Sequence, residues 1–302
     1  MHRQSVAARA RQALQSKPRA SQHRKTRGRV ALSNNHRAFR HELHYITRGG
    51  GRPVILVHGI AASHSEWGHL IPDLAACGYH VYAPDLPGHG NSPKPGDAQY
   101  YQVESLLVQL ETWIESLNLQ EPPLLIGHSL GGYLGLAYAR DHSGEVRGLV
   151  LINPLYSPRQ LSPVLNLMRK RPQLGEKALR ATPKWVIQAL VHLDPSAATQ
   201  FSPQIRQQIA ADYKRASPNI VYLTQSLPDM TASLPLVKAP TLVIWGEKDL
   251  SLNPASFPEL VKLLPNAAGC PIAGCGHQPH LCKHQEVNRL VLEFMNSAAV
   301  AR

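Results

Sequence analysis

The stretch Pro123-Leu124-Leu125-Ile126-Gly127-His128-Ser129-Leu130-Gly131 places one serine between two glycines, directly after an apolar run. A short apolar run that is followed at once by a helix-forming segment, here 132–140, predicts a buried strand, a sharp turn and a helix. Glycines at these positions permit the strained dihedrals and close packing of such a turn. The turn would expose the Ser129 hydroxyl, which makes Ser129 a candidate nucleophile. Because ordinary glycine-rich turns share this five-residue pattern, the pattern alone does not decide the matter.

Two downstream loops carry the residue types that a serine nucleophile needs. A serine hydroxyl reacts at neutral pH when an imidazole accepts its proton and a carboxylate orients that imidazole. Asp249 follows the apolar run 241–245, and His277 lies in a glycine-flanked loop after the short run 268–272. We therefore predict a catalytic set of Ser129, Asp249 and His277, in that chain order.

An upstream loop supplies a further candidate. Acyl transfer passes through an oxyanion, which two backbone N–H groups stabilise. Leu130 directly follows the candidate nucleophile, and Ile60 lies in the loop after the apolar run 53–57. We predict the backbone N–H groups of Ile60 and Leu130 as the oxyanion-hole donors.

These motifs together resemble those of the α/β-hydrolase family over residues 43–294, in particular its cap-bearing esterases, C–C bond hydrolases and cofactor-free perhydrolases. The matching segments, in chain order, are the oxyanion loop Val57-His58-Gly59, the D-x-x-G-x-G-x-S loop at 85–92, the nucleophile turn at 127–131, the acid loop at 245–249 and the base loop Gly276-His277. The resemblance implies an α/β fold with a mostly parallel central sheet, flanking helices and a helical cap insertion.

The chain pattern agrees with that organisation. Strand and helix signals alternate from Tyr79 onward, which is typical of βα units and a parallel sheet. Residues 155–236 contain no convincing buried strand and many prolines, and the resemblance identifies this insertion as the cap. We expect an N-terminal arm at 1–41, a hydrolase core at 42–154 and 237–297, and a helical cap at 155–236. Eight apolar residues of the insertion either line a substrate pocket or form the core of the cap: Leu165, Leu167, Met168, Trp185, Ile187, Leu190, Phe201 and Tyr222.

The formal net charge of +12 has its source in the arm. Residues 1–41 contain eleven Lys and Arg and no Asp or Glu, which leaves 21 basic against 20 acidic residues in the rest of the chain. With few large apolar residues, the arm cannot bury enough surface to fold, so we predict that it is disordered. Its composition fits a solvated tail, an organellar transit peptide or a segment that binds polyanions. Binding of nucleic acid or an acidic surface is therefore expected only through the arm.

Cysteine usage and hydropathy indicate the compartment. Four cysteines in 302 residues argue against a disulfide scaffold and suit a reducing compartment. No run approaches the roughly 18 apolar residues that cross a bilayer, and no signal-peptide pattern is present. We predict a cytoplasmic protein without a transmembrane segment, or an organellar one if residues 1–40 are a transit peptide.

A rival interpretation of the base loop is a structural zinc site. Six residues there have spacings that resemble paired zinc ligands: Cys270, Cys275, His277, His280, Cys282 and His284. A metal at this place would occupy the base loop of an otherwise complete serine hydrolase. We therefore predict no metal and no cofactor.

Four other polar residues have simpler interpretations. Asp85 precedes Ser129 and matches a family loop whose role is structural, and Asn153 carries an amide that cannot act as the acid. His58 and His128 flank reactive positions and are expected to tune them rather than to serve as the base.

The predicted function is hydrolysis of a carboxylic ester or related acyl bond of a small, mainly apolar substrate through an acyl-enzyme on Ser129. Hydrolysis of a C–C bond in a diketone-type substrate and peracid formation use the same machinery and stay open. A non-catalytic ligand receptor or accessory protein with the same fold is a further alternative. Epoxides and haloalkanes suit an aspartate nucleophile, so Ser129 argues against both. The sequence does not indicate the oligomeric state.

Overall fold

A computed structural model describes residues 42–193, 201–297 and 300 of the protein. A seven-stranded sheet with the spatial order β1-β3-β2-β4-β5-β6-β7 forms its centre. The strands are β1 (Tyr45–Gly49), β2 (Arg52–Val57), β3 (Tyr79–Pro84), β4 (Leu124–His128), β5 (Gly148–Ile152), β6 (Thr241–Gly246) and β7 (Ala267–Ile272). Only the β1–β3 pair is antiparallel among the described strands, so the predicted α/β fold with a mostly parallel sheet is confirmed.

Helices cover both faces of the sheet. They are α1 (Leu70–Ala76), α2 (Val103–Ser116), α3 (Leu130–Asp141), α4 (Pro163–Lys170), α5 (Pro172–Ala181), α6 (Lys184–Leu193), α7 (Pro203–Arg215), α8 (Tyr222–Gln225), α9 (Ser256–Leu263), α10 (Pro279–Cys282) and α11 (His284–Met295). Short 3₁₀ helices add His64–Trp67, Ala98–Tyr101, Pro158–Gln160, Pro218–Val221 and Thr231–Leu236.

Alternation along the strands creates two apolar layers. Ile55 and Val57 of β2 pack into the layer that contains α2, α3 and α9, whereas Val54 and Leu56 pack into the layer that contains α1 and α11. Successive strand side chains point to opposite faces, so a continuous apolar run supplies both layers at once. This arrangement fixes the carboxyl ends of β2, β4, β6 and β7 at one edge, where the predicted site residues lie.

The insertion between β5 and β6 is helical in its described part, and one isolated bridge joins Leu161 to Leu252. Helix α7 contacts the core through Asp212, whose carboxylate accepts a 2.6 Å hydrogen bond from the Ser65 hydroxyl. The backbone N–H of Ser217 donates to the Gly88 carbonyl at 2.7 Å. The insertion is thus anchored on the loops that follow β2 and β3.

Two structural features bear on the predicted location of the protein. Within the described residues, no helix combines the length and apolar character needed to cross a membrane. Cys275 and Cys282 form a disulfide, while Cys77 and Cys270 are free thiols. One disulfide is not a scaffold, but it differs from the reduced thiols that a reducing compartment favours. The cytoplasmic location stays a prediction, and the arm at 1–41 with its expected disorder lies outside the described residues.

Candidate active site

Ser129 occupies the turn between β4 and α3 in a strained backbone conformation, with φ 50° and ψ −112°. Its neighbours hold this turn on both sides. The Ser129 N–H donates to the Ile152 carbonyl at 3.0 Å, and the Ser129 carbonyl accepts from the N–H groups of Tyr133 and Leu155, both at 3.1 Å. The surrounding structure therefore imposes the conformation that a free serine would avoid.

The two glycines of this turn allow a close approach of backbone segments. A methyl group on Gly131 would overlap the Val57 carbonyl of the neighbouring strand, and one on Gly127 would overlap the Gly131 carbonyl. Steric overlap with the neighbouring backbone thus explains why glycine occupies both positions.

The predicted acid and base are in direct contact. His277 Nδ1 lies 2.7 Å from Asp249 Oδ2, and the carboxylate is buried. The other oxygen, Oδ1, accepts the backbone N–H groups of Ser251 at 2.7 Å and Leu252 at 3.0 Å. Burial raises the pKa of Asp249, but His277 and these hydrogen bonds outweigh it and hold the pKa below its ordinary value. Asp249 is therefore an oriented carboxylate at neutral pH.

Asn153 is a further contact of the Asp249 carboxylate. Its Nδ2 donates to Asp249 Oδ2 at 2.7 Å, and its Oδ1 accepts the Gly246 N–H at 3.2 Å. The residue is fully buried and has a φ of 41° at the end of β5. The sequence analysis excluded Asn153 as the acid, but it did not predict the contact of Asn153 with Asp249.

The loop after β2 holds Ile60 through the preceding residues. His58 is fully buried, its Nε2 accepts the Leu86 N–H at 2.9 Å, and its Nδ1 donates to the Gly59 carbonyl at 2.8 Å. Burial lowers the pKa of His58, which agrees with a neutral ring in this tautomer. Because C=O and N–H point in opposite directions across a trans peptide, the bond to the Gly59 carbonyl also fixes the direction of the Ile60 N–H.

The two predicted oxyanion donors flank Ser129. Leu130 is the first residue of α3, where backbone N–H groups lack intrahelical acceptors. On the other side, a methyl group on Gly59 would lie 3.3 Å from Ser129 Cβ, which places the adjoining Ile60 peptide next to the turn. Both donors thus come from segments that border the candidate nucleophile.

The base loop also meets the nucleophile turn. His128 Nε2 donates to the His277 backbone carbonyl at 2.9 Å, and the centroids of the two rings are 4.9 Å apart. Since Ser129 follows His128 directly, the structure brings the three predicted segments together at one edge of the sheet.

Asp85 contacts a different set of residues. Its carboxylate accepts the backbone N–H groups of His64 at 2.7 Å and Asn91 at 2.8 Å, and lies 2.9 Å and 3.0 Å from Nδ1 of His64 and His44. These bonds join the loops after β2 and β3 to His44, which precedes β1, and do not reach His277. The geometry agrees with the structural role that the sequence indicated.

The zinc-like cluster of the base loop is not assembled. Cys275 and Cys282 bond to each other, and the His284 ring stacks on His69 with centroids 4.0 Å apart. Among the described residues, two other groups bring three potential ligand atoms within 4.8 Å of one another: His44, His64 and Asp85, and Glu66, His128 and His280.

A cavity of about 350 Å³ lies between the oxyanion loop and α7. Its lining is mainly apolar, and it borders Gln278, the residue after His277. Two carboxylate residues, Glu66 and Asp212, contribute to the lining, and none of the described lining residues is a lysine or arginine. Seven of the eight apolar residues that the sequence suggested have described side chains, and none of those seven lines this cavity. Its apolar part includes Ile60, Ala61, Ile205, Ile209, Tyr213 and Leu281.

Comparison with known proteins places this site in a family context. The sequence profile of the family described as alpha/beta hydrolase fold matches residues 52–283. The chain is 30% identical over 249 residues to the haloalkane dehalogenase of Mycobacterium marinum, covering 76% of this chain and 80% of that protein. It is 27% identical over 267 residues to a 2-hydroxy-6-oxo-6-(2'-aminophenyl)hexa-2,4-dienoic acid hydrolase of Metapseudomonas resinovorans, covering 85% and 89%. A thermophilic esterase from Thermogutta terrifontis superposes with a TM-score of 0.72 at 26% identity, over 84% of this chain and 92% of that chain.

Proposed function

The chain belongs to the α/β-hydrolase fold family, and on that basis we propose that it is a serine hydrolase that cleaves a carboxylic ester of a small, mainly apolar substrate through an acyl-enzyme on Ser129. The observation that carries the proposal is the 2.7 Å contact of His277 Nδ1 with Asp249 beside the strained Ser129 turn. Hydrolase membership is common to the relatives, whereas the ester substrate is our inference for this chain.

The proposed reaction has two steps. In the first, His277 Nε2 accepts the Ser129 proton while the serine oxygen attacks the ester carbonyl, and the N–H groups of Ile60 and Leu130 bind the oxyanion. The intermediate collapses when His277 returns the proton to the leaving alcohol. In the second step, His277 activates water, which releases the acid from Ser129. Asp249 stays ionised and stabilises the imidazolium that forms in both steps.

Ser129 and the cavity together favour a neutral ester over the substrates in the names of the two relatives. Displacement of a halide requires a carboxylate nucleophile, and the nucleophile turn carries a serine. A substrate with its own carboxylate would meet Glu66 and Asp212 without a cation among the described lining residues, so its burial would lack electrostatic compensation. A small apolar acyl group fits the lining without this cost.

The insertion at 155–236 acts as a cap in this proposal. Its helix α7 forms one wall of the cavity, and the bond between Ser65 and Asp212 attaches that wall to the 3₁₀ helix His64–Trp67. Covering the site excludes water and strengthens the electrostatic stabilisation of the oxyanion.

The test is a series of aryl esters of increasing acyl length, with Ser129→Ala and His277→Ala as matched variants. We expect hydrolysis by the wild-type protein to favour short acyl chains, and to fall by about 10³-fold or more in both variants. A fluorophosphonate probe should label Ser129 covalently in the wild type and fail to label Ser129→Ala. A wild-type protein that neither hydrolyses the esters nor takes the label would contradict the proposal and favour the receptor alternative.

A further inference from the structure

A buried carboxylate with no part in the proposed chemistry lies beneath the candidate active site. Glu66 belongs to the 3₁₀ helix His64–Trp67, and its side chain is 2% exposed. An isolated carboxylate at this depth carries a large desolvation cost, so its partners must compensate for it. Those partners come from three separate loops.

The first partner is the oxyanion loop. The backbone N–H of Gly59 donates to Glu66 Oε2 at 3.1 Å. A methyl group on Gly59 would lie only 2.8 Å from His128 Nδ1, so this glycine lets the loop rest directly on the His128 ring. Glu66 therefore anchors the peptide that precedes the Ile60 donor.

The second partner is the residue before the candidate nucleophile. His128 Nδ1 lies 2.7 Å from Glu66 Oε1, while its Nε2 donates to the His277 carbonyl. A carbonyl oxygen only accepts, so Nε2 carries a hydrogen. His128 therefore turns its Nδ1 edge to Glu66 and its Nε2 edge to the base loop.

The third partner lies on the helix that follows the base. His280 Nε2, on α10, is 3.3 Å from Glu66 Oε1, and the His280 ring lies 4.6 Å from the His128 ring between centroids. Burial lowers the pKa of His280 to about 4, so this ring is neutral at pH 7. Its position next to the base loop extends the cluster to the third catalytic segment.

Electrostatics explains why the cluster holds together. Glu66 Oε1 makes no hydrogen bond of ordinary geometry with either ring, so the short contact with His128 is mainly electrostatic, and the neutral His280 ring packs beside it. Electrostatic attraction is strong where water is excluded. Burial raises the pKa of Glu66, but the two histidines outweigh burial and hold it well below its ordinary value. Glu66 is therefore an ionised carboxylate at neutral pH, enclosed by the oxyanion loop and two histidine rings.

We propose that Glu66 is a positioning residue that holds the oxyanion loop, the nucleophile turn and the base loop in register through Gly59, His128 and His280. This proposal rests on the hydrolase function proposed above. Glu66 touches no reacting atom in it and acts through the groups that do. Displacement of a catalytic group by about 1 Å can lower the rate 10²-fold. The reaction rate should therefore depend strongly on the relative positions of the three loops.

The test compares Glu66→Gln with Glu111→Gln. The control removes the carboxylate of another Glu–His pair, in which His142 Nε2 lies 3.2 Å from Glu111 Oε1, remote from the catalytic loops. In Glu66→Gln the amide keeps an acceptor for the Gly59 N–H but loses the charge. We expect kcat for aryl esters to fall about 10- to 100-fold with KM changed less than about threefold, and fluorophosphonate labelling to slow in parallel. Glu111→Gln should retain both rates.

A second measurement does not depend on activity. Hydrogen exchange followed by mass spectrometry should be faster in Glu66→Gln for peptides that contain 58–61, 127–131 and 276–282, and unchanged there in Glu111→Gln. If Glu66→Gln fails to fold, His280→Gln removes the weakest contact, and a fall in kcat of about threefold or more with unchanged KM is expected.

Each outcome has a distinct meaning. A labelled, active wild type whose kcat and exchange are unaffected by Glu66→Gln would overturn the positioning role and leave the hydrolase proposal intact. A wild type that takes no label refutes the hydrolase proposal, and with it the catalytic part of this one, whatever the exchange pattern shows. Stoichiometric metal in the purified protein that disappears in Glu66→Gln would also overturn the proposal, because the three side chains would then be ligands.

Discussion

The backbone of Ser129 has a stability consequence that is independent of the reaction. A φ of 50° with a ψ of −112° is unfavourable for any residue that carries a Cβ, at a cost of about 1–3 kcal/mol. Glycine lacks this cost but adds entropy to the unfolded chain. We predict that Ser129→Gly unfolds with a free energy about 1 kcal/mol higher than that of Ser129→Ala, measured by urea denaturation.

The matched control for this comparison lies in a regular helix. Ser105 belongs to α2, where alanine is favoured over glycine by about 1 kcal/mol. The order of stability should therefore reverse between the two sites, with Ser105→Ala above Ser105→Gly. Equal stabilities of the two Ser129 variants would show that the turn stores no strain.

Residues with a strong local signature were predictable, whereas residues whose role depends on distant contacts were not. The glycine-rich turn and the loops at strand ends indicated Ser129, Asp249 and His277, and the contact between Asp249 and His277 agrees with that set. Asn153 and Glu66 carry no such signature. Their partners come from remote parts of the chain, so only the folded arrangement shows what they contact.

Elements with long apolar runs were likewise predictable, and polar edge elements were not. The run at 241–245 appears as β6, and the run at 53–57 as β2. Strand β1 was not predicted, because its residues are mostly exposed and it pairs with β3 in antiparallel fashion at the edge of the sheet.

The disulfide constrains one element, the segment that carries His277. Cys275 and Cys282 enclose His277 and most of α10 in a short loop. Closing a loop of this length in the unfolded chain contributes about 2–3 kcal/mol to stability in the chain-entropy account. We predict that the double variant Cys275→Ser/Cys282→Ser loses about this amount, measured by thermal and urea unfolding.

A reductant separates the effect of the bond from that of the substitutions. Dithiothreitol should destabilise the wild type by a similar amount and leave the double variant unchanged. Cys77→Ser, at an exposed free thiol, should behave like the wild type. Insensitivity of the wild-type protein to the reductant, with both thiols titratable beforehand, would contradict the pairing.

In the whole molecule, the net positive charge and the buried histidines lie in different parts of the chain. The arm carries the net positive charge, whereas the body is nearly neutral, so the chain's high charge says little about the folded domain. The folded domain instead contains neutral histidines without access to water. His58, His89 and His280 are all at most 2% exposed. These three buried histidines make the stability of the fold sensitive to mild acid.

Burial lowers the pKa of all three histidines, to about 3 for His89 and about 4 for His280. In the unfolded chain each binds a proton near pH 6.5, whereas the native chain binds it only at a lower pH. Stability is therefore present above pH 6.5 and is lost progressively between about pH 6.5 and 4. We predict that the free energy of unfolding falls by about 2 kcal/mol for each of His89 and His280 between pH 7 and pH 5, with a further fall from His58, measured by urea denaturation.

Two variants show whether this loss comes from the buried histidines. Asn at position 89 keeps a donor for the Pro87 carbonyl that His89 Nδ1 now contacts at 2.9 Å, and it does not titrate. His89→Asn removes one titrating group. The fall in the free energy of unfolding should therefore be smaller in this variant, by at most about 1.4 kcal/mol per pH unit. His142 has the opposite sign, because its hydrogen bond with Glu111 raises its pKa and contributes stability that is lost as the pH rises through that value. His142→Gln should accordingly steepen the loss towards acid pH, and a wild-type stability that stays flat from pH 7 to 5 would mean that the buried rings accept protons within the native fold.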